Sequence, residues 1–252
     1  MATIFCFTST GGSLYAAKTI MQKIDGKVLP MNENTAICDD NVIGFVFPVY
    51  FWGLPRIVAR FVSNMQISNK NAYVFAVAVS GGPVFGVLGM LKKLLKQKGI
   101  KLQYGARLIS VSNYIPNYRS VNDGEKLRKR TDENILKIAD AIKNKKTNRV
   151  HSFTVLNRLA YKTYPNENSD RYFSIADTCT GCMICQKICP VKNIIIKSGK
   201  PEFKHKCEHC LACLHNCPVH AIDWKHKTEG KQQYRNANIT LEELISFSNN
   251  NK

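Results

Sequence analysis

The run Cys179-Thr180-Gly181-Cys182-Met183-Ile184-Cys185-Gln186-Lys187-Ile188-Cys189-Pro190 returns as Cys207-Glu208-His209-Cys210-Leu211-Ala212-Cys213-Leu214-His215-Asn216-Cys217-Pro218. Each copy reads C-x2-C-x2-C-x3-C-P, and every cysteine stands 28 positions from its counterpart. One C-x2-C pair arises easily by chance; two complete copies in the same register do not. Three thiols spaced by two residues can wrap one face of an iron-sulfur cube, and the proline after the fourth stops the chain and turns it away.

Zinc is the competing reading of eight thiols. Structural zinc sites pair two C-x2-C knuckles per ion and have no use for a third cysteine two residues on, so the spacing favours iron-sulfur ligation. Disulfides need an oxidising compartment, and the chain shows no signal-peptide pattern, which predicts reduced thiols in the cytoplasm. The remaining cysteines, Cys6 and Cys38, read as small buried apolar side chains.

Over residues 174–227 the chain resembles the bacterial ferredoxins that carry two [4Fe-4S] clusters, including Pro190-Val191, Pro218-Val219 and the following Ile194 and Ile222. The resemblance implies an α+β electron-transfer domain over 173–228 in which the fourth cysteine of each run serves the other cluster. It assigns Cys179, Cys182, Cys185 and Cys217 to one cluster and Cys207, Cys210, Cys213 and Cys189 to the second. Eight cysteines complete two cubanes, so His205, His209, His215 and His220 are left to face solvent or lend hydrogen bonds that tune potential.

Ahead of this lies a different texture, over 1–146. Short apolar runs alternate with amphipathic helical patterns, the mark of βαβ units around a parallel sheet. Strands are expected at 3–7, 27–30, 42–47, 72–79 and 103–111, with helices at about 11–24, 55–64, 84–98 and 123–144. The run Ala72–Val79 is almost wholly apolar and should be central. Residues 147–172 have no clear period and read as a linker that packs on one domain, with a short helix near 156–161. In the tail, 229–252, Thr240-Leu241-Glu242-Glu243 is a capping box and Ile239 can staple onto Leu244, predicting a last short helix.

The first strand runs into Thr8-Ser9-Thr10-Gly11-Gly12-Ser13, with hydroxyls and glycines opening a helix whose free N–H groups suit a phosphate monoester. Neither G-x-x-x-x-G-K-[ST] nor G-x-G-x-x-G occurs here, which argues against ATP hydrolysis and dinucleotide binding. Residues 1–145 resemble the flavodoxin family, whose phosphate loop has the form T/S-x-T-G-N-T/S at this place; here Gly12 replaces the asparagine. The resemblance implies a five-stranded doubly wound parallel sheet with FMN at the carboxyl ends of its strands. Two further loops would then hold the ring: Pro48, Val49, Tyr50, Phe51, Trp52 and Gly53 after the third strand, and Ser80, Gly81, Gly82 and Gly86 after the fourth. Tyr50 or Trp52 can stack on the isoalloxazine, or these aromatics belong to the core or an interface. The glycines let backbone amides approach a flavin edge, or serve a turn. Asn113 and Tyr114, after the fifth strand, are weaker candidates.

The formal charge is +18. Clusters and a flavin phosphate, at about −2 each, would bring the assembled protein to roughly +12. The excess is uneven: residues 92–162 hold 18 Lys and Arg against 5 Asp and Glu. A basic stretch of this kind suits an acidic redox partner of ferredoxin or flavodoxin type, or is simply solvated; nucleic acid is not expected. No apolar run approaches the ~20 residues of a membrane helix. No Ser/His/Asp set or paired carboxylates stand out, so no catalytic residues are assigned. The combination resembles the fused flavodoxin/ferredoxin proteins of anaerobic microbes. It implies a relay between one- and two-electron partners, with a flavin-dependent reductase of a small molecule as the alternative.

Overall fold

The computed structural model describes residues 1–32, 36–84, 86–118, 121, 123–151 and 154–249. Parts of several predicted segments, among them Phe85, Arg119, Ser120 and residues 250–252, lie outside the described residues. The chain divides into two compact units. The first comprises Met1–Thr8, Gly12–Val111 and Asp123–Tyr164; the second comprises Ser9–Gly11, Ser112–Asn122 and Pro165–Lys252.

In the first unit β1 (Ala2–Cys6), β2 (Gly26–Pro30), β3 (Val42–Pro48), β4 (Tyr73–Ser80) and β5 (Tyr104–Ile109) form one parallel sheet in the order 2-1-3-4-5. This is the flavodoxin-like doubly wound order, whose switch point falls between β1 and β3. All eight residues of β4 and all five of β1 are buried, which is why their sequences, Thr3 and Ser80 apart, are apolar runs and not alternating ones. The edge strand β2 is half-exposed and ends in Pro30, so its sequence signal is weak for a physical reason. Phe45, Phe47 and Phe75 are wholly buried; each contributes about 1.5–3 kcal/mol of apolar burial.

Helix α1 (Gly12–Ile24) packs with α4 (Glu125–Lys143), and α2 (Arg56–Asn64) with α3 (Val87–Gln97). Right-handed crossovers on either side of β1 place these pairs on opposite faces of the sheet. Helix α2 starts directly after Pro55, and α3 is stopped at Gly99, where φ is +72° and the Ile100 N–H turns back to Leu95 O at 3.0 Å. After α4 the same unit continues through α5 (Val155–Tyr161), capped by Thr154, whose hydroxyl accepts from the Asn157 N–H at 3.3 Å.

The second unit is built twice over. After the 3-10 turn Glu167–Tyr172, β6 (Phe173–Ile175) pairs antiparallel with β9 (Ile222–Trp224), and β7 (Ile194–Lys197) with β8 (Lys200–Phe203). Two four-residue helices, α6 (Ile184–Lys187) and α7 (Ala212–His215), follow residues in the left-handed region, Met183 at φ +63° and Leu211 at φ +61°. Gly181 with His209 and Lys192 with His220 repeat the same positive φ at the same 28-residue offset. The sequence repeat is therefore a backbone repeat. Helix α8 (Leu241–Asn249) begins at Thr240, whose hydroxyl accepts from the Glu243 N–H at 3.1 Å; Ile239 and Leu244 are both buried. No helix among the described residues is long and apolar enough to cross a membrane.

Candidate metal and cofactor sites

The two cysteine runs do not form two separate sites. Cys179, Cys182 and Cys185 from the first run line one cavity together with Cys217 from the end of the second, along with Ile196, Pro201 and Ile222. The charges that act on Cys185 repeat the grouping. Burial pushes its thiol up to about 11, and Cys182, Cys217 and Cys179 add to the rise. In the other set, burial pushes Cys207 to about 12, with Cys189 among the neighbours that raise it further. Burial drives Cys210 and Cys213 well above the usual thiol range, with Cys189 and Cys207 again contributing. Cys217 thus stands with the first three cysteines of the first run, and Cys189 with those of the second.

The raised values mean that Cys185, Cys189, Cys207, Cys210 and Cys213 hold their protons in the metal-free chain, and that loading metal must expel them as thiolates form. Backbone donors are already aimed at the sulfurs. Asn193 N–H donates to Cys189 Sγ at 3.2 Å and Ala221 N–H to Cys217 Sγ at 3.3 Å, again 28 residues apart. His209 N–H adds a bond of 3.2 Å to Cys207 Sγ. Such bonds stabilise charge on a coordinating sulfur. No three His, Cys, Asp or Glu side chains among the described residues converge on a point where a single ion would sit. A cubane does not require that, since each thiolate meets a different corner. A cavity lined by four cysteines and apolar side chains is a donor set that suits a cluster.

A buried carboxylate that sequence reasoning missed organises the second set. Asp170, 1% exposed, accepts from the His205 N–H at 2.9 Å, from His205 Nδ1 at 2.6 Å and from Asn193 Nδ2 at 2.8 Å. Asn193 in turn accepts from the Lys206 N–H at 2.6 Å. One carboxylate thus fixes the segments that carry Cys189 and Cys207. Its only sequence signal is an aspartate just ahead of the cysteine-bearing region, where the resemblance has no motif.

The loops at the carboxyl ends of the strands are placed as follows. Thr8, Ser9, Thr10 and Ser13 are all buried, and Gly12 and Ser13 open α1, whose first turn has no acidic residue. A side chain built at Gly12 would meet nothing within 4 Å, so there is open space beside the helix N-terminus. Gly11, at φ +94°, groups with the second unit: its missing Cβ would stand 3.0 Å from Ile239 Cβ, and Thr10 O accepts from the Asn236 N–H at 2.8 Å.

Pro48 ends β3, and the Val49 N–H extends the ladder to Val79 O at 2.8 Å. Tyr50 and Gly53 then exchange both backbone bonds, at 3.1 and 2.8 Å, around Phe51 and Trp52, which stand at φ +47° and +63°. Two bulky residues in the left-handed region cost roughly 1–2 kcal/mol each, so surrounding contacts must hold the turn. They come from Phe7 and from the segment after α4. Phe51 stacks on Tyr164 at 5.1 Å, Tyr50 meets Tyr164 and Phe7 edge-on at 6.0 Å each, and Asn157 Nδ2 donates to Trp52 O at 3.3 Å. Gly53 is required because a Cβ there would lie 2.2 Å from the Tyr161 ring. Trp52 itself is 48% exposed. After β4, Ser80 Oγ donates to Gly82 O at 2.7 Å, Gly81 is exposed, Gly82 has open space at its missing Cβ, and Gly86 caps α3 at φ +80°.

Residues 178–231 match the family described as the 4Fe-4S dicluster domain. No curated protein matches the chain. Among solved structures, similarity is found to a putative flavoprotein from Bacteroides uniformis (18% identity, 44% of this chain and 91% of that one, TM-score 0.37). The Trp repressor binding protein of Bacillus subtilis matches at 11% identity over 56% of this chain and 96% of its own, with a TM-score of 0.38. An FMN-dependent NADH-azoreductase from Bacillus anthracis, solved with FMN, matches at 11% identity over 57% and 100%, with a TM-score of 0.37. With every score below 0.5, the flavodoxin-like assignment rests on the sheet order itself. The chain joins a flavodoxin-like sheet to an iron-sulfur segment of the 4Fe-4S dicluster type, an architecture for redox electron transfer.

Proposed function

We propose that the chain binds FMN and two [4Fe-4S] clusters and passes electrons among them as a relay between one-electron and two-electron partners. The observation that carries this reading is the crossed gathering of eight cysteines into two sets on the same chain as a 2-1-3-4-5 sheet. A flavin takes two electrons and releases them singly, whereas a cubane takes one at a time.

The chain's own residues supply the setting. Thr8, Ser9, Thr10, Gly11, Gly12 and Ser13 would hold the phosphate at the positive end of α1. The clamped Tyr50–Gly53 turn and the Ser80–Gly86 loop would border the ring, with Trp52 the aromatic left open to it, since Phe51 is committed to Tyr164. Cys179, Cys182, Cys185 and Cys217 would hold one cluster and Cys189, Cys207, Cys210 and Cys213 the other. The basic stretch over residues 92–162 supports an acidic redox protein as partner.

Purification without oxygen, followed by an absorbance spectrum and iron, sulfide, zinc and flavin analysis, tests the reading. Iron and sulfide for two cubanes together with FMN are expected. Zinc in the cysteine sites, or no yellow chromophore, would overturn it. Replacing Thr10 or Ser13 with aspartate should abolish FMN retention by repelling the phosphate, with iron content unchanged.

A further inference from the structure

The two cysteine sets are not equivalent in their surroundings. The set of Cys179, Cys182, Cys185 and Cys217 reaches the surface: Cys182 is exposed, and Met183 and Val219 beside the cavity are 44% and 37% exposed. No cysteine of the other set is exposed. It sits among side chains that lead elsewhere within the same unit. His209, between Cys207 and Cys210 and 2% exposed, meets the Tyr114 hydroxyl through Nε2 at 2.9 Å and packs edge-on against Trp224 at 4.8 Å.

A second connection runs parallel to the first. His215, 3% exposed, accepts at Nδ1 from the Tyr234 N–H at 3.2 Å, which leaves its proton on Nε2; that nitrogen donates to Asn113 O at 2.7 Å. Asn113 Nδ2 then donates to Thr10 Oγ1 at 2.6 Å. Thr10 is thus joined to the neighbourhood of Cys213 by an unbroken line of hydrogen bonds, and Tyr114, one residue on, to that of Cys207.

We propose that the cluster held by Cys189, Cys207, Cys210 and Cys213 is the inner relay, coupled through His209–Tyr114 and His215–Asn113–Thr10 to the flavin loop. The cluster held by Cys179, Cys182, Cys185 and Cys217 is then the port for an external one-electron donor. Each delivery would oxidise the donor by one electron and reduce the port cluster by one, and that electron would then be handed by way of the inner cluster to the bound flavin. Two deliveries, with protons from water, complete a two-electron reduction. Asn113, Tyr114, His209 and His215 are positioning residues in this scheme. The inference rests on the flavin and cluster reading above.

The test uses the full chain with its iron, sulfide and FMN measured first, so that a missing cofactor counts against that reading and not against this one. With sodium dithionite as donor in a stopped-flow experiment, cluster bleaching should precede flavin bleaching, and the flavin phase should become independent of dithionite concentration. In Tyr114→Phe and in Asn113→Ala, the flavin phase should slow by about tenfold, the range typical of lost outer-shell partners, while the cluster phase holds. Separately, in the iron-free, flavin-free chain, both variants should speed amide exchange across residues 112–118. A flavin phase that stays first order in dithionite, or one unchanged in both fully loaded variants, would overturn the proposal, as would unchanged amide exchange in both.

Discussion

The Tyr164 ring lies over that of Phe51, centroids 5.1 Å apart and planes 18° from parallel, across 113 residues of chain. Arg56 Cζ lies 3.9 Å from the centroid of the same Tyr164 ring. One aromatic side chain, 9% exposed, thus restrains a turn that carries two residues at positive φ. Tyr164→Ala should destabilise the chain by roughly 3 kcal/mol, read from the urea midpoint, because it removes a buried ring and frees a strained loop. Tyr164→Phe, which keeps the ring, should cost less. Equal losses in the two variants would show that the ring does not hold the turn.

Cys189→Ala should spare the cluster nearer in sequence. The crossed grouping puts Cys189 with Cys207, Cys210 and Cys213, so the variant should lose that cluster's signal in electron paramagnetic resonance and keep the other. Loss of the signal belonging to Cys179, Cys182 and Cys185 alone would contradict the assignment.

Asp170→Ala leaves three donors without their acceptor, two from His205 and one from Asn193. In the metal-free chain it should cost roughly 2–4 kcal/mol, measured by denaturant unfolding of the second unit. Iron retention should fall with it, since the Asn193 N–H is also the donor to Cys189 Sγ.

Burial depresses His215 to about 4 from the usual 6.5, against a smaller opposing effect of its bond to Asn113 O. Between those values the unfolded chain takes up a proton that the folded chain refuses, so acidification favours unfolding. Stability of the metal-free chain from this source should be full above about pH 6.5 and fall by roughly 3 kcal/mol by about pH 4. His215→Gln should flatten that part of the pH profile in calorimetric Tm measurements; an unaltered profile would assign the slope to other groups.

Much of this was legible because burial writes itself into the chain. The strands β1, β3 and β4 are covered on both faces and read as apolar runs, and the doubled cysteine spacing returns as a doubled backbone pattern. What escaped depended on partners far away in sequence. The aromatics of residues 50–52 fit a flavin stack or a core equally well until Tyr164 is placed against Phe51. The segment after α4 lacks a period because α5 is only seven residues long, and its neighbour Tyr164 packs as a single ring. Asp170 belongs to no motif, and only its bonds to His205 and Asn193 reveal it. Asn113 and Tyr114 stood out weakly as loop residues, whereas their bonds to Thr10, His209 and His215 require the fold.

The division of the Thr8–Ser13 loop has an outcome for anyone who would cut the protein in two. Ser9–Gly11 is seated by Asn113, Asn236 and Ile239, none of which groups with the sheet. A fragment ending at Tyr164 would keep every strand of the five-stranded sheet and the Asn113 contact, yet lose Asn236 and Ile239 from the middle of that loop. A recombination that replaced residues 165–252 alone would have to seat Ser9–Gly11 afresh.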